Sequence, residues 1–309
     1  MSDRQPEAGA PSVSVLMTAY NRADYIAQSI ESVLRSTFQD FELVVVDNCS
    51  SDNTLDIVRE YERADRRVRV FQNESNIGDF PNRNRAAEHA RGTYLKYVDS
   101  DDLIYPHGLE VMVRCIETFP DAGLGLSATP DVLGPCPRVL TPAESYREHF
   151  FGGDLLSRAP GSTIVRRSSF QAVGGFSGRR YIGDPELWLK ISRRYDVVKM
   201  PMDLVWDRQH PGQEQRTQDS VDWTVMRDEM EIAALHADDC PLDDAERTAA
   251  LTRLSDKRAR NYLQFLGRKG GRTLASRYRK GTSLPAAAIA GFVWDRLWRR
   301  SAVARAPQV

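Results

Sequence analysis

The sequence predicts an α/β protein with a Rossmann-like, mostly parallel central sheet flanked by helices and a helical C-terminal extension. Three observations predict it. Short apolar runs of strand character alternate with helically spaced segments through the first hundred residues. The run FELVVVD at 41–47 is continuous enough in valine to suit a sheet covered on both faces. From about Val221 onward the chain reads as helix and ends in a basic tail. At 309 residues, 41% of them hydrophobic, the chain suffices for one large α/β domain or two smaller ones.

The elements follow in order. SVSVLMT (12–18) is a strand, and ADYIAQSIESVLRS (23–36) carries Ile26, Ile30, Val33 and Leu34 at helical spacing. After the valine strand comes a helix over 52–64 with Asp52 as its N-cap. RVRVFQN (67–73) is a third strand, PNRNRAAEHARG (81–92) a helix stopped by Gly92, and TYLKYVD (93–99) a fourth strand. This alternation implies parallel pairing through right-handed crossovers. A helix over 105–119 has Pro106 near its start. The proline- and glycine-rich stretch 129–161 reads as variable loop with a short helix at 142–150. STIVRRS resumes a strand, and DPELWLKISRRY (184–195) is a helix with Asp184 as N-cap and Pro185 in its first turn. VVKMP and LVWDRQH are short strands. The expected organisation is a disordered leader over 1–11, a main domain over 12–218 and a helical region over 219–309.

Charge is unevenly distributed. From Lys257 to Val309 there are thirteen Lys and Arg against one acid, Asp295, about +12, while the remainder carries about −13. An acidic body that handles an anionic ligand needs a cation or a local basic patch. The tail suits an anionic surface, membrane or nucleic acid. Four scattered cysteines without a CxxC disfavour a zinc site and read as reduced thiols. The polar N-terminus has no apolar signal segment, and no run reaches a membrane-spanning length, so a cytoplasmic location is expected.

In a parallel sheet, ligands sit beyond the carboxyl ends of the strands. Three polar clusters fall there: TAYNR (18–22), DNCSSD (47–52) and DSDD (99–102). Asp99 and Asp101, one residue apart on a strand end, can face one point, and a hard divalent cation, Mg²⁺ or Mn²⁺, with a diphosphate resolves their repulsion. A solvated acidic turn with Asp102 capping a helix is the plainer alternative. The loop after the first strand has neither G-x-G-x-x-G nor a P-loop, which excludes a dinucleotide or triphosphate held in those ways. Tyr20 can stack on a base and Asp47 can accept from a ring N–H, although an Asx turn explains Asp47 equally. Arg83 and Arg85 begin a helix where one of them can meet phosphate.

Together these segments resemble family 2 glycosyltransferases, which have the GT-A fold. The resemblance rests on SVLMTAYNRADYIAQSIESVLRSTFQDFELVVVDNCSSDNT and NIGDFPNRNRAAEHARGTYLKYVDSDD, and covers roughly 12–210. It implies a nucleotide-sugar half at about 12–104 and an acceptor half at about 105–218. It places Thr18, Ala19, Tyr20, Asn21 and Asp47 at the nucleotide base, Asn76 and Arg83 near the nucleotide, and Asp99 and Ser100 against the donor. Asp99, Asp101 and His210, the last from RQHPG, are the implied ligands of Mn²⁺ or Mg²⁺. In GGFSGRRYIGDPELWLKIS, Asp184 matches the family's catalytic base, while Gly183 stands where a glutamate is common. Asp before Pro is also a good helix cap with no chemistry required.

The implied reaction is a single displacement with inversion, moving one sugar from a nucleotide-diphosphate sugar to an acceptor hydroxyl in glycan, cell-surface polysaccharide or glycolipid assembly. A UDP-sugar is favoured, with dTDP- and GDP-sugars as alternatives. QEQRT has Gln213 and Arg216 but Thr217 where a processive synthase has tryptophan. Trp294, Leu297 and Trp298 share a helical face beside Arg296, Arg299 and Arg300, which suits contact with a cytoplasmic membrane surface or packing on the body. Two rival readings are a sugar-1-phosphate nucleotidyltransferase, whose glycine-rich loop is absent, and a binding protein acting through the tail. The acidic body argues against nucleic acid.

Overall fold

The computed structural model describes residues 9–127, 136–210 and 220–303, with side chains from Val221 to Trp294 in the last segment. Most of the expected leader, residues 128–135 of the variable loop, the Gln213–Thr217 segment and the aromatic–arginine stretch after Trp294 lie outside these. The chain forms two compact units, Met1–Pro211 and Gly212–Val309.

In the first unit the alternation expected from sequence is present: β1 (Val13–Ala19), α1 (Ile26–Leu34), β2 (Phe41–Asp47), α2 (Thr54–Ala64), β3 (Val68–Gln72), α3 (Asp79–Glu88) and β4 (Tyr94–Tyr97). All seven residues of β2 are buried, as a strand covered on both faces requires. The pairs β2–β3, β1–β2 and β1–β4 are parallel. Because β1 lies between β2 and β4, strand order reverses there, which opens a crevice beyond the carboxyl ends of β1 and β4.

The remainder of the unit holds β5 (Leu103–Ile104), α4 (Gly108–Glu117), β6 (Ala122–Ser127), β7 (Arg138–Leu140), α5 (Pro142–Phe151), β8 (Thr163–Arg166), α6 (Arg167–Ala172), α7 (Gly183–Ser192), β9 (Asp196–Met200) and β10 (Val205–Trp206). The eight-stranded sheet runs β3-β2-β1-β4-β8-β6-β9-β7, with β8 antiparallel to both neighbours. β5 and β10 pair as a separate antiparallel ribbon directly after the acidic cluster.

Several boundaries differ from expectation for local reasons. β6 reads AGLGLS, too rich in glycine to score as a strand. A Cβ on Gly123 would lie 2.6 Å from Tyr195, and one on Gly125 2.9 Å from Ile164 and Met200, so close packing demands those glycines. Gly92 does not stop α3, which ends at Glu88 with His89 as its C-cap. It instead presses against β1, donating its N–H to Ser14 Oγ at 2.8 Å. Asp52 accepts from the Thr54 N–H at 3.0 Å, yet the α2 N-cap position falls on Asn53. Asp184 is not an N-cap: that position is Ile182, and Asp184 lies inside the first turn of α7.

Among the described residues, the second unit holds four helices: α8 (Ser220–Leu235), α9 (Asp244–Leu266), α10 (Gly271–Gly281) and α11 (Ala286–Val303). α9 starts with a capping box in which Glu246 N–H donates to Asp243 Oδ1 at 2.8 Å. Its core gathers Val221, Phe265, Ala275, Tyr278 and Leu284, and the buried Tyr278 hydroxyl bonds Asp228. No helix among the described residues is long and apolar enough to cross a membrane.

Candidate active site

The loops beyond β1, β2 and β3 are stitched together by neutral side chains. Asn21, in the left-handed region at φ 52, donates its N–H to Ser50 Oγ at 2.9 Å and accepts from the Ser51 N–H at 2.9 Å. Asn48 accepts from Asn73 Nδ2 at 2.9 Å and from the Ile77 N–H at 3.0 Å, and donates to Asn76 Oδ1 at 3.0 Å. Asn73 also donates to Asn82 Oδ1 at 2.8 Å, and Asn82 reaches back to the Val46 carbonyl at 3.2 Å. Asn76 is therefore a brace of the loop, which also accepts from the Gly78 N–H at 2.9 Å. Asn48, Asn73 and Asn82 were not singled out from sequence, since lone asparagines at strand ends read as turn formers.

Asp47 ends β2, level with Ala19 of β1, and is fully buried. One carboxylate oxygen accepts from the Ser50 N–H at 3.0 Å, which is the Asx turn weighed from sequence. The other, Oδ1, is buried with no hydrogen-bond partner among the described residues. Leaving such an acceptor unmet costs on the order of 1–3 kcal/mol. Tyr20, beside it in sequence order on the β1 loop, is 45% exposed, and Thr18 is half-buried.

The acidic cluster behaves differently. The last hydrogen bond from this strand end to β1 is the Val98 N–H to the Leu16 carbonyl at 3.0 Å, after which the Asp102 N–H turns back to the Asp99 carbonyl at 3.0 Å. Asp99 and Asp101, expected from sequence to face one point, meet different partners. Asp99 Oδ1 accepts from Arg83 Nη2 at 2.8 Å. Asp101 Oδ2 accepts from Arg22 Nε at 3.1 Å and from His210 Nε2 at 2.9 Å. Asp99, Asp101 and His210 do not bring three ligand atoms within 4.8 Å of one another. Asp101 and His210 do converge. Their 2.9 Å oxygen–nitrogen separation is about that of adjacent ligands in an octahedron with ~2.1 Å bonds. A carboxylate with an imidazole fits Mn²⁺ well and Mg²⁺ less well.

Around them sit residues that fix this geometry. Arg83 is buried; burial disfavours its charge, but Asp79, Asp99 and Asp184 outweigh that and hold it firmly protonated. The Tyr97 hydroxyl donates to the Arg83 carbonyl at 3.1 Å. Arg208 donates its backbone N–H to Asp102 at 2.9 Å, Nε to the Asp101 carbonyl at 2.8 Å and Nη2 to Gln28 at 2.7 Å. Burial first, then the charge of Asp99, pushes Asp102 up to about 7. Lys96, fully buried on β4 and bonded to the Gly161 carbonyl, is pulled down to about 7 by burial, against the opposing charges of Asp99, Asp207 and Asp102. Ser100 is buried within the turn.

Asp184 lies in the first turn of α7, near enough to Arg83 for its charge to be felt there. The neighbouring Gly183 has a steric cause. A Cβ on it would lie 2.5 Å from the ring of Phe80 on α3, so no side chain fits at the position where a glutamate is common. Arg22, Arg208, Lys96 and Phe80 were missing from the sequence-derived site. All four lay within segments already marked, Arg22 in TAYNR, Arg208 in RQHPG, and Phe80 and Lys96 in NIGDFPNRNRAAEHARGTYLKYVDSDD, but none was assigned a role.

This fold and site define a family. The sequence pattern described as Glycosyl transferase family 2 matches residues 14–174, over half of the chain, and the chain belongs to that family of enzymes. A Bacillus subtilis protein named as a teichuronic acid biosynthesis glycosyltransferase, TuaG, is 44% identical over 92 residues, 30% of this chain and 36% of that protein. The match thus spans about a third of that relative's length. The crystal structure of Staphylococcus aureus TarS 1–349 with UDP-GlcNAc superposes with a TM-score of 0.69 at 21% identity, covering 90% of this chain and 83% of that one. The mannosyltransferase PcManGT of Pyrobaculum calidifontis, with GDP-Man and Mn²⁺, gives 0.54 at 19% identity over 96% and 90%. The GT-A architecture expected from sequence is therefore the fold of this chain.

Proposed function

We propose that this glycosyltransferase transfers one sugar, with inversion, from a nucleotide-diphosphate sugar to an acceptor hydroxyl, using a divalent cation. The observation that carries the reading is the buried, unpartnered Asp47 Oδ1 at the carboxyl end of β2, on the same rim of the sheet as the turn after β4 that holds the Asp101–His210 pair. A base ring N–H supplies the missing donor to Asp47, and Tyr20 offers an exposed ring for stacking. Uracil has such an N–H, so a UDP-sugar is the favoured donor, with dTDP- and GDP-sugars as the alternatives. TarS, a structural relative, is described with UDP-GlcNAc, which supports this choice.

Asp101 and His210 would hold Mn²⁺ or Mg²⁺, which when bound supplies positive charge to the departing diphosphate. Asp99 lies with Arg83 on the donor side, and the permanent charge of Arg83 assists there. Asp184 accepts the proton of the acceptor hydroxyl. That oxygen forms its bond to the anomeric carbon as the bond to the diphosphate breaks on the opposite face, which inverts the centre. The acceptor is a glycan or lipid-linked glycan of the cell surface, in keeping with the name of TuaG. The tail, with Trp294 67% exposed on α11, lies against an anionic membrane surface at the cytoplasmic side.

A thermal-shift screen of UDP-, dTDP- and GDP-sugars with and without Mn²⁺ tests the donor. Stabilisation by one nucleotide class, enhanced by Mn²⁺ and lost in Asp101→Ala, is expected. Turnover unaffected by chelator would refute the metal. Flotation with anionic vesicles, lost on deleting residues 286–309, is the expected result for the tail.

A further inference from the structure

We infer that Arg22 serves two anions in turn: the Asp101 carboxylate when no cation is bound, and the donor's diphosphate once a cation has taken that carboxylate. The inference rests on the nucleotide-sugar reading above and assigns a positioning role to a residue to which the family resemblance gave none.

The observation is a competition for one atom. Asp101 Oδ2, which with His210 makes the pair that fits a cation, also accepts from Arg22 Nε at 3.1 Å and from His210 Nε2 at 2.9 Å. A carboxylate oxygen has two lone-pair directions, and both are used. A cation bound between Asp101 and His210 must take at least one. When His210 Nε2 becomes a ligand it gives up its N–H, the proton passing to Nδ1 or to water, so its bond to Asp101 ends; the cation's double charge on the same Oδ2 then repels the Arg22 guanidinium, whose bond gives way as well.

Arg22 is built to move without unravelling its loop. Its backbone N–H is anchored on Thr54 Oγ1 at 2.7 Å, so its Cα stays while the guanidinium swings. The side chain is 27% exposed, and its other bonds are long ones from Nη1 to the carbonyls of Tyr20 and Asn21, at 3.3 and 3.2 Å. Arg83 is the contrast: 10% exposed, it is held by both Asp79 and Asp99. A guanidinium released between the Tyr20 loop and the acidic turn has the planar fork that diphosphate oxygens match. The exchange balances charge, since the cation replaces the guanidinium on Asp101 as the diphosphate arrives to meet it.

Such a handover makes cation and nucleotide binding cooperative, and the coupling is reciprocal. The test is calorimetric titration of the full chain with Mn²⁺ alone, and with UDP in the absence and presence of Mn²⁺. Wild type is compared with Arg22→Ala and with Arg22→Gln, which keeps N–H donors without the charge. Removing the competitor should make Mn²⁺ bind both variants on the order of fivefold tighter, the upper range for a partly exposed ion pair. UDP alone should bind them as it binds wild type, whereas UDP with Mn²⁺ should bind roughly tenfold more weakly. Damage to the fold would weaken every ligand, so a gain in Mn²⁺ affinity separates the two causes. Equal or weaker Mn²⁺ binding in both variants overturns the inference, as does UDP binding weakened equally with and without Mn²⁺. A wild type that binds UDP but no Mn²⁺ brings down both this inference and the metal in the proposed function. Cooperative binding unchanged in the variants brings down the handover alone.

Discussion

The β2–β3 side of the site and its β4 side are held by different kinds of bond. On the first, Asn48, Asn73, Asn76 and Asn82 form a closed set of amide bonds, most of them 2.8–3.0 Å, and one carboxylate oxygen, Asp47 Oδ1, is left over. On the second, Asp99 and Asp101 are each met by an arginine and one also by His210. A neutral network needs no rearrangement to receive a ligand, so that side is preformed. An ionic cluster is satisfied internally, and a ligand must displace what is already there. Under the proposed function, the pocket for the base is ready, while the pocket for cation and diphosphate must be opened.

Four substitutions break or sharpen that contrast. The largest effect belongs to neither side: Asp184→Asn should lower transfer by roughly 10²–10⁴-fold, the usual weight of a general base, with donor affinity unchanged. Full activity in that variant removes Asp184 from the role. Asp47→Ala removes the unmet acceptor and should weaken UDP binding by about tenfold or more, without lowering the unfolding temperature of the unliganded protein. A large loss of stability would mean that Asp47 is a structural turn residue. Asn48→Ala strips partners from Asn73, Asn76 and the Ile77 N–H at once, and should cost about 1–3 kcal/mol in denaturant unfolding while leaving Mn²⁺ affinity intact. Weakened Mn²⁺ binding there would erase the distinction between the two sides.

The last substitution concerns Lys96, on β4 beneath the ionic side. Its folded-state value is about 7 against 10.5 for the free group, so the unfolded chain holds more protons between those limits. Its contribution to stability is complete above about pH 10.5 and is lost as pH falls toward 7. The unfolding temperature of wild type minus that of Lys96→Met should therefore rise steadily from pH 7 to 10. A flat difference would show that Lys96 does not titrate in that window.

Much of the first half was legible because its signals are local. The valine run of β2, the helical spacing of α1 and the parallel order of the first four strands need only neighbouring residues, and the clusters beyond those strands follow from topology. β6 was illegible because its glycines answer to Tyr195, Ile164 and Met200, far away in sequence. Gly183 was visible as a departure from the family, but its cause, the Phe80 ring, lies on another helix.

What this sequence determined by itself was the alternating α/β order, the family, and which segments carry the site, because periodicity and short motifs are properties of adjacent residues. Only the tertiary structure decided how the acidic side chains are partnered. The chain turns over Asp99–Asp102, where Asp99 meets Arg83 and Asp101 meets Arg22 and His210. The direction of a carboxylate depends on which donors the fold brings within about 3 Å, and those donors come from residues 22, 83 and 210, which no local pattern relates.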